Sequence, residues 1–191
     1  MVPPVLFYRH KHPFSNFSYT PITTADGLRF PTTEHHFHYR KAALFEDAAA
    51  AALLLKADTP TKAKALGGAV KGYDDESWRA ARERVMLEGI RLKIEQHPEI
   101  KRKLVETGDA LIAEATSRDK TWAIGLNASD PAAQDPANWC AALARAALTP
   151  RAGRGRTCSA RRGWPRAPRC SRPTASACAR STATRWWWTP R

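Results

Sequence analysis

The sequence predicts a mostly helical α+β fold: one compact domain over residues 1–139, with a small β-hairpin and short strands, then a disordered tail over residues 140–191. Three observations carry this expectation. Several stretches without proline or glycine open on residues that cap helices. Short apolar runs sit near both ends of the domain, and an Asp-Gly pair lies between two more. From about Leu148 onward, apolar periodicity stops.

Val5-Leu6-Phe7-Tyr8 reads as a buried strand, and residues 10–13 as a loop leading to Phe14-Ser15-Asn16-Phe17. Residues 19–24 and 28–30 flank Ala25-Asp26-Gly27, a hairpin signal because such turns need positive φ. Pro31-Thr32-Thr33 then offers Thr32 or Thr33 as the N-cap of a helix that the alanine-rich sequence carries to about Lys56. Thr59-Pro60 starts a short helix closed by Gly67-Gly68. Asp74-Asp75 opens a longer one, whose Trp78, Ala81, Val85, Gly89 and Leu92 recur at three and four residues and face the core. His97-Pro98 ends it, and Pro98 begins another that stops at Gly108. Residues 111–115 and 122–126 read as two short strands around a polar turn holding Arg118, Asp119 and Lys120. Residues 128–139, interrupted by two Asp-Pro pairs, read as loop.

The net charge of +13 points at first to nucleic acid. Its distribution does not. Residues 140–191 hold 12 of the 31 basic side chains and none of the 18 acidic ones, which leaves 19 against 18 in residues 1–139. All four cysteines (Cys140, Cys158, Cys170 and Cys178) also fall in that tail, so the domain offers neither a disulfide framework nor thiol ligands. No N-terminal apolar run reads as a signal peptide, and none approaches the roughly 20 apolar residues of a membrane span. A cytoplasmic protein without membrane contact is the expectation.

The densest chemistry lies in Pro31-Thr32-Thr33-Glu34-His35-His36-Phe37-His38-Tyr39-Arg40-Lys41. On a helix Glu34, His38, Lys41 and Phe45 share one face, with Glu34 and Lys41 roughly 10 Å apart along the axis. That separation leaves room for a small ligand between a carboxylate and an ammonium. Glu34 would stand in the first turn, where the helix dipole favours negative charge. Charged residues on first turns are also ordinary solvated positions, so spacing alone does not make a site.

The surrounding sequence adds to it. Phe7-Tyr8, Phe14-Ser15-Asn16-Phe17, Pro21-Ile22, Asp26-Gly27 and the stretch from Pro31 to Lys41, taken in order, resemble the NADAR family. The likeness continues through Trp78, Glu95-Gln96-His97-Pro98-Glu99, Thr107-Gly108-Asp109, and Asp119 three residues before Trp122. It covers about residues 5 to 139 and departs after Trp139. Family members continue there with a helix carrying an Asn-x-Leu-Gly-x-x-Leu-Met pattern, where this chain has Cys140-Ala-Ala-Leu-Ala-Arg-Ala-Ala-Leu. The tail therefore reads as an out-of-frame continuation of a GC-rich gene. A genuine basic arm that binds nucleic acid non-specifically is the rival account.

The resemblance implies hydrolysis of an N-glycosidic bond, either in phosphorylated riboflavin-biosynthesis intermediates or in ADP-ribosylated guanosine, its nucleotides and nucleic acids. Breaking a ribose–nitrogen bond leaves an oxocarbenium-like sugar, which a fixed carboxylate stabilises, while a second carboxylate orients or deprotonates water. Glu34 and Asp119 match the family's motifs and are the catalytic candidates. Lys41 is a third, able to hold phosphate or act on the ribose, and a lysine can also attack an opened sugar aldehyde. Trp78, Trp122, Phe14 and Phe17 offer flat walls for the heterocycle, although Trp78 also belongs to the core-facing stripe. Asn16 can donate to and accept from a base or ribose, and His35 can orient a neighbour or a phosphate.

A metal site is not expected. The histidines lack a His-Glu-x-x-His pattern and the domain has no cysteine to complete a tetrahedral set. No redox cofactor is expected either, since there is no P-loop and no Gly-x-Gly-x-x-Gly. Outside enzymes, the alternatives are an inactive module binding ADP-ribose or nucleotides, and a nucleic-acid binder led by its tail.

Overall fold

The computed structural model describes residues 2–119 and 121–140. Its elements run β1 (Val5–Phe7), β2 (Ile22–Thr23), β3 (Arg29–Phe30), α1 (Thr33–Leu44), α2 (Ala48–Leu55), α3 (Pro60–Gly68), α4 (Asp75–Gln96), α5 (Pro98–Glu106) and β4 (Ile112–Glu114). Helix is the predominant regular structure, as the sequence predicts. The expectations for the tail beyond Cys140 lie outside the described residues.

α1 is the central element, packed against α2, α3 and α4. It is an unusual core helix, because Thr33 through His38 are all buried and four of those six are charged or imidazole-bearing. Close packing on glycine makes this possible. A Cβ on Gly67 of α3 would overlap the ring of His38, and one on Gly89 of α4 would stand 2.9 Å from His36 Nδ1. The neighbouring helices thus approach the imidazoles through bare backbone. Around them, Phe37 joins Trp78, Val85, Met86 and Ile90 in one apolar cluster, and Ala42 joins Leu54, Ala63 and Val70 in another.

The strands are short and bring distant segments together. β1 and β4 pair in parallel, with Phe7 opposite Glu114, and β2 and β3 form the hairpin expected at Asp26-Gly27, where Gly27 takes φ +85°. His97 Nε2 stands 2.7 Å from the Pro21 carbonyl and Gln96 bonds both backbone groups of Thr23, so the hairpin is tied to the end of α4.

Two expectations are corrected. The helix predicted from Thr33 to Lys56 breaks at residues 45–47. Glu46 adopts φ +54°, and the Asp47 carboxylate accepts from Ala50 N–H at 3.0 Å and from Lys71 N–H at 2.9 Å. A capping aspartate that also anchors another loop outweighs the small propensity gain of one continuous helix. Residues 122–126 do not form a strand. They are held by separate bonds, Ile124 N–H to the Glu114 carbonyl and Cys140 N–H to the Ile124 carbonyl, both at 2.9 Å, with Gly125 at φ +79°. Within residues 128–139, two short 3-10 turns are capped by the carboxylates of Asp130 and Asp135. Trp139 closes that segment, buried with Nε1–H donating to the Ala133 carbonyl at 2.9 Å. Among the described residues no helix is long and apolar enough to cross a membrane.

Candidate active site

α1, α3, α4, the loop after β1 and the turn after β4 enclose a cleft of about 720 Å³. That size suits a nucleotide-like molecule.

The α1 wall is built from its cap downward. Thr32 in extended conformation caps the helix, its Oγ1 accepting from His35 N–H at 3.4 Å and standing 2.8 Å from His35 Nδ1. Asn16 then pins the first turn. Its carbonyl accepts Glu34 N–H at 3.1 Å and its side-chain oxygen accepts from Thr33 Oγ1 at 2.9 Å. One turn on, Glu34 Oε1 lies 3.0 Å from His38 Nε2. Lys41 extends the same face. Its Nζ donates to the Gly67 carbonyl at 2.9 Å and sits 4.2 Å from the centre of the Tyr73 ring, and burial lowers its pKa. Glu34, His38 and Lys41 all line the cleft, whereas Phe45 turns aside to pack on Tyr73.

The opposite wall carries two more carboxyl groups. Asp119 Oδ1 accepts from the N–H groups of Thr121 and Trp122, each at 2.8 Å, which fixes the turn, and Oδ2 lies 4.0 Å from Lys64 Nζ. Glu114, at the end of β4, is pushed up to about 7, chiefly by burial and then by the negative charges of Asp119 and Glu34. Aromatic rings form the floor. Trp78 and Trp122 both meet Phe37, with ring centres 5.0 and 5.9 Å apart, and Arg82 lies 5.2 Å over Trp122. Asn16 and Phe17 complete the rim, together with the cations Arg9, Lys64 and Arg118.

Seven of the nine residues singled out from the sequence therefore meet at one cleft: Glu34, Lys41, Asp119, Asn16, Phe17, Trp78 and Trp122. Two do not. Phe14 is buried with Ile100 and Leu104 beneath β1, because the loop turns it inward while Asn16 and Phe17 face the cleft. His35 is buried on the other side of α1, one helical step from Glu34, and burial lowers its pKa. The sequence reading missed Glu114, Tyr73, Phe37, Lys64 and Arg82. Only Glu114 left a signal, as the single charge inside the apolar run from Leu111 to Ala115. Among the described residues, no three His, Cys, Asp or Glu side chains converge as a metal site requires.

Fold and cleft define a small helical α+β domain whose cleft is lined by acidic, aromatic and cationic side chains. The chain belongs to the NADAR domain family, whose model matches residues 6–142. It is 33% identical over 112 residues to N-glycosidase YbiA of Escherichia coli, covering 59% of this chain and 68% of that protein. An N-glycosidase of Nostoc punctiforme is 32% identical over 126 residues, 64% of this chain and 80% of the relative. N-glycosidase R617 of Acanthamoeba polyphaga mimivirus is 33% identical over 99 residues, 52% of this chain, which spans 58% of that relative's length. The solved NMR structure of E. coli YbiA superposes with a TM-score of 0.57 at 31% identity, covering 65% of this chain and 73% of that one.

Proposed function

We propose that the cleft hydrolyses the N-glycosidic bond of a ribosylated or ADP-ribosylated heterocycle, such as a riboflavin-biosynthesis intermediate. The observation that carries this is the meeting of Glu34 and Asp119, from opposite walls, in one cleft with an aromatic floor and a cationic rim. Glu34, oriented by His38, is the electrostatic partner of the sugar as positive charge develops at C1. Asp119, whose Oδ1 is occupied by the turn, keeps Oδ2 to orient and deprotonate water. Trp78 and Trp122 take the heterocycle, and Lys41 with the rim cations takes hydroxyl or phosphate oxygens. The scheme runs on side chains alone.

The same cations favour a second substrate, ADP-ribosylated guanine, whose diphosphate needs more positive charge than one phosphate does. Incubation with ribosylamino-pyrimidine phosphates and with ADP-ribosyl-guanosine, followed by mass spectrometry of the released base, decides between them. Release from either is the expected result. Retention of a ligand with no base released from any would make this domain a binding module.

A further inference from the structure

Three carboxyl groups line the cleft, and the chemistry above uses two. The third, Glu114, ends β4 opposite Phe7 and points its side chain into the same space. Glu34 is bonded to His38 and Asp119 caps a turn, but no hydrogen bond or ion pair holds the Glu114 carboxyl group among the described residues. The charged and titratable groups that share the cleft with it are Glu34, His38 and Lys41 from α1, Lys64 from α3, Tyr73 before α4 and Arg82 on it, Tyr8, Arg9 and His10 after β1, and Arg118 and Asp119 from the turn after β4. Burial, Asp119 and Glu34 all favour its neutral form, and Lys64 alone works against them. A carboxyl poised near neutrality without a partner is a proton donor waiting for an acceptor.

The reaction needs such a donor. When a C1–N bond breaks, the electron pair goes to the nitrogen that leaves with the heterocycle, and that nitrogen as an anion is a poor leaving group unless protonated. We propose that Glu114 is the general acid, giving its carboxyl proton to the departing nitrogen. Water oxygen then bonds to C1 and its proton passes to the Asp119 carboxylate. Exchange with solvent returns the proton to Glu114 and removes it from Asp119, so each turnover consumes one water. This role rests on the N-glycosidase reading above. It also gives the three acids separate duties, since Glu34 faces the sugar charge, Asp119 the water and Glu114 the leaving group.

The test compares leaving groups in the full chain. One probe is a ribosylamino-pyrimidine phosphate, an N-riboside. The other is the matching 4-nitrophenyl riboside, whose phenolate departs without a proton. Glu114→Gln should lower kcat/KM on the N-riboside by about 10²–10³-fold, within the usual range for losing a general acid, and on the nitrophenyl riboside by less than about 10-fold. In the wild type, kcat/KM on the N-riboside should fall as pH rises through about 7, and Glu114→Gln should lack that limb. Carbon-13 NMR titration of the wild-type Glu114 carboxyl covers the case of a poorly folded variant, with a midpoint near 7 expected. Equal losses on both probes, a basic limb that persists in the variant, or a carboxyl titrating near an ordinary 4 would each overturn the assignment. A wild type that cleaves neither probe would instead remove the N-glycosidase reading, and the acid role with it.

Discussion

One wall of the cleft is a capped helix; the other is the end of a three-residue strand and an irregular turn. Both present a glutamate, yet they treat it differently. Glu34 stands in a first helical turn, tied through its backbone to Asn16 and through Oε1 to His38. Glu114 has no hydrogen-bond or ion-pair partner for its carboxyl group among the described residues, and burial, with the negative charges of Asp119 and Glu34, pushes it up to about 7. Identical side chains thereby meet different surroundings, one held by its neighbours and the other partly buried without a hydrogen-bond partner. The difference teaches that the role follows from what surrounds a carboxyl group, not from its identity.

The largest expected effect breaks the comparison at the helical wall. Glu34→Gln keeps the shape and still offers an oxygen to His38, so the fold should survive. Turnover should fall by about 10²–10³-fold, the usual cost of losing one preorganised electrostatic group. Asp119→Asn retains an acceptor for the Thr121 and Trp122 N–H groups, and it should lose about 10²-fold in kcat with little change in KM. Steady-state kinetics on a confirmed substrate, beside thermal melts, measure both. Wild-type rates in Glu34→Gln would make the Glu34–His38 pair a purely structural feature of the core.

The two walls also differ in how much of them the sequence discloses. On α1, spacing converts directly into space, so Glu34, His38 and Lys41 can be assigned to one face before any coordinates exist. The hairpin, the caps at Thr59 and Asp74, and the glycine-marked end of α3 are legible for the same reason, because they depend on local chemistry. Glu114 is different. Its meaning comes from the parallel pairing of β1 with β4, which joins opposite ends of the domain, and from its nearness to Asp119 and Glu34. Nothing local encodes those distances. The break at Glu46 is hidden likewise, since Asp47 caps α2 while also binding Lys71, and only the fold brings that partner close.

A glycine underlies the helical wall, and its replacement gives the next largest effect. His38 lies against Gly67, so the Cβ of Gly67→Ala would overlap its ring, which also packs on the Phe37 ring with centres 5.3 Å apart. Overpacking of this kind costs about 1–3 kcal/mol of stability. Displacement of His38 should also release Glu34, so activity should fall along with the melting temperature. Gly68→Ala, with open space at its Cβ, is the control and should change neither. A tolerated Gly67→Ala would mean that α3 can slide away from α1 without loss.

The smallest effect concerns what supports the helical wall from beneath. Lys93 of α4 is buried, and its Nζ donates to the Ser15 carbonyl at 2.7 Å, next to the Asn16 that pins α1. Burial lowers its pKa from 10.5 to about 7. Between those two values the unfolded chain carries a proton on this lysine that the folded chain lacks. Stability should therefore rise with pH across the window, by up to about 1.4 kcal/mol per pH unit from this one group. Lys93→Met removes both the hydrogen bond and the titration. At pH 6 the variant should melt no lower than the wild type, because it avoids burying an ammonium that has lost most of its water. By pH 9 the wild type should be the more stable of the two, since its uncharged amine still donates to Ser15 without that penalty. Melting curves of both proteins at half-unit steps from pH 6 to pH 9 test the crossing. Parallel curves, with one constant offset, would show that Lys93 keeps its charge in the fold and that Ser15 is held by an ordinary buried ammonium.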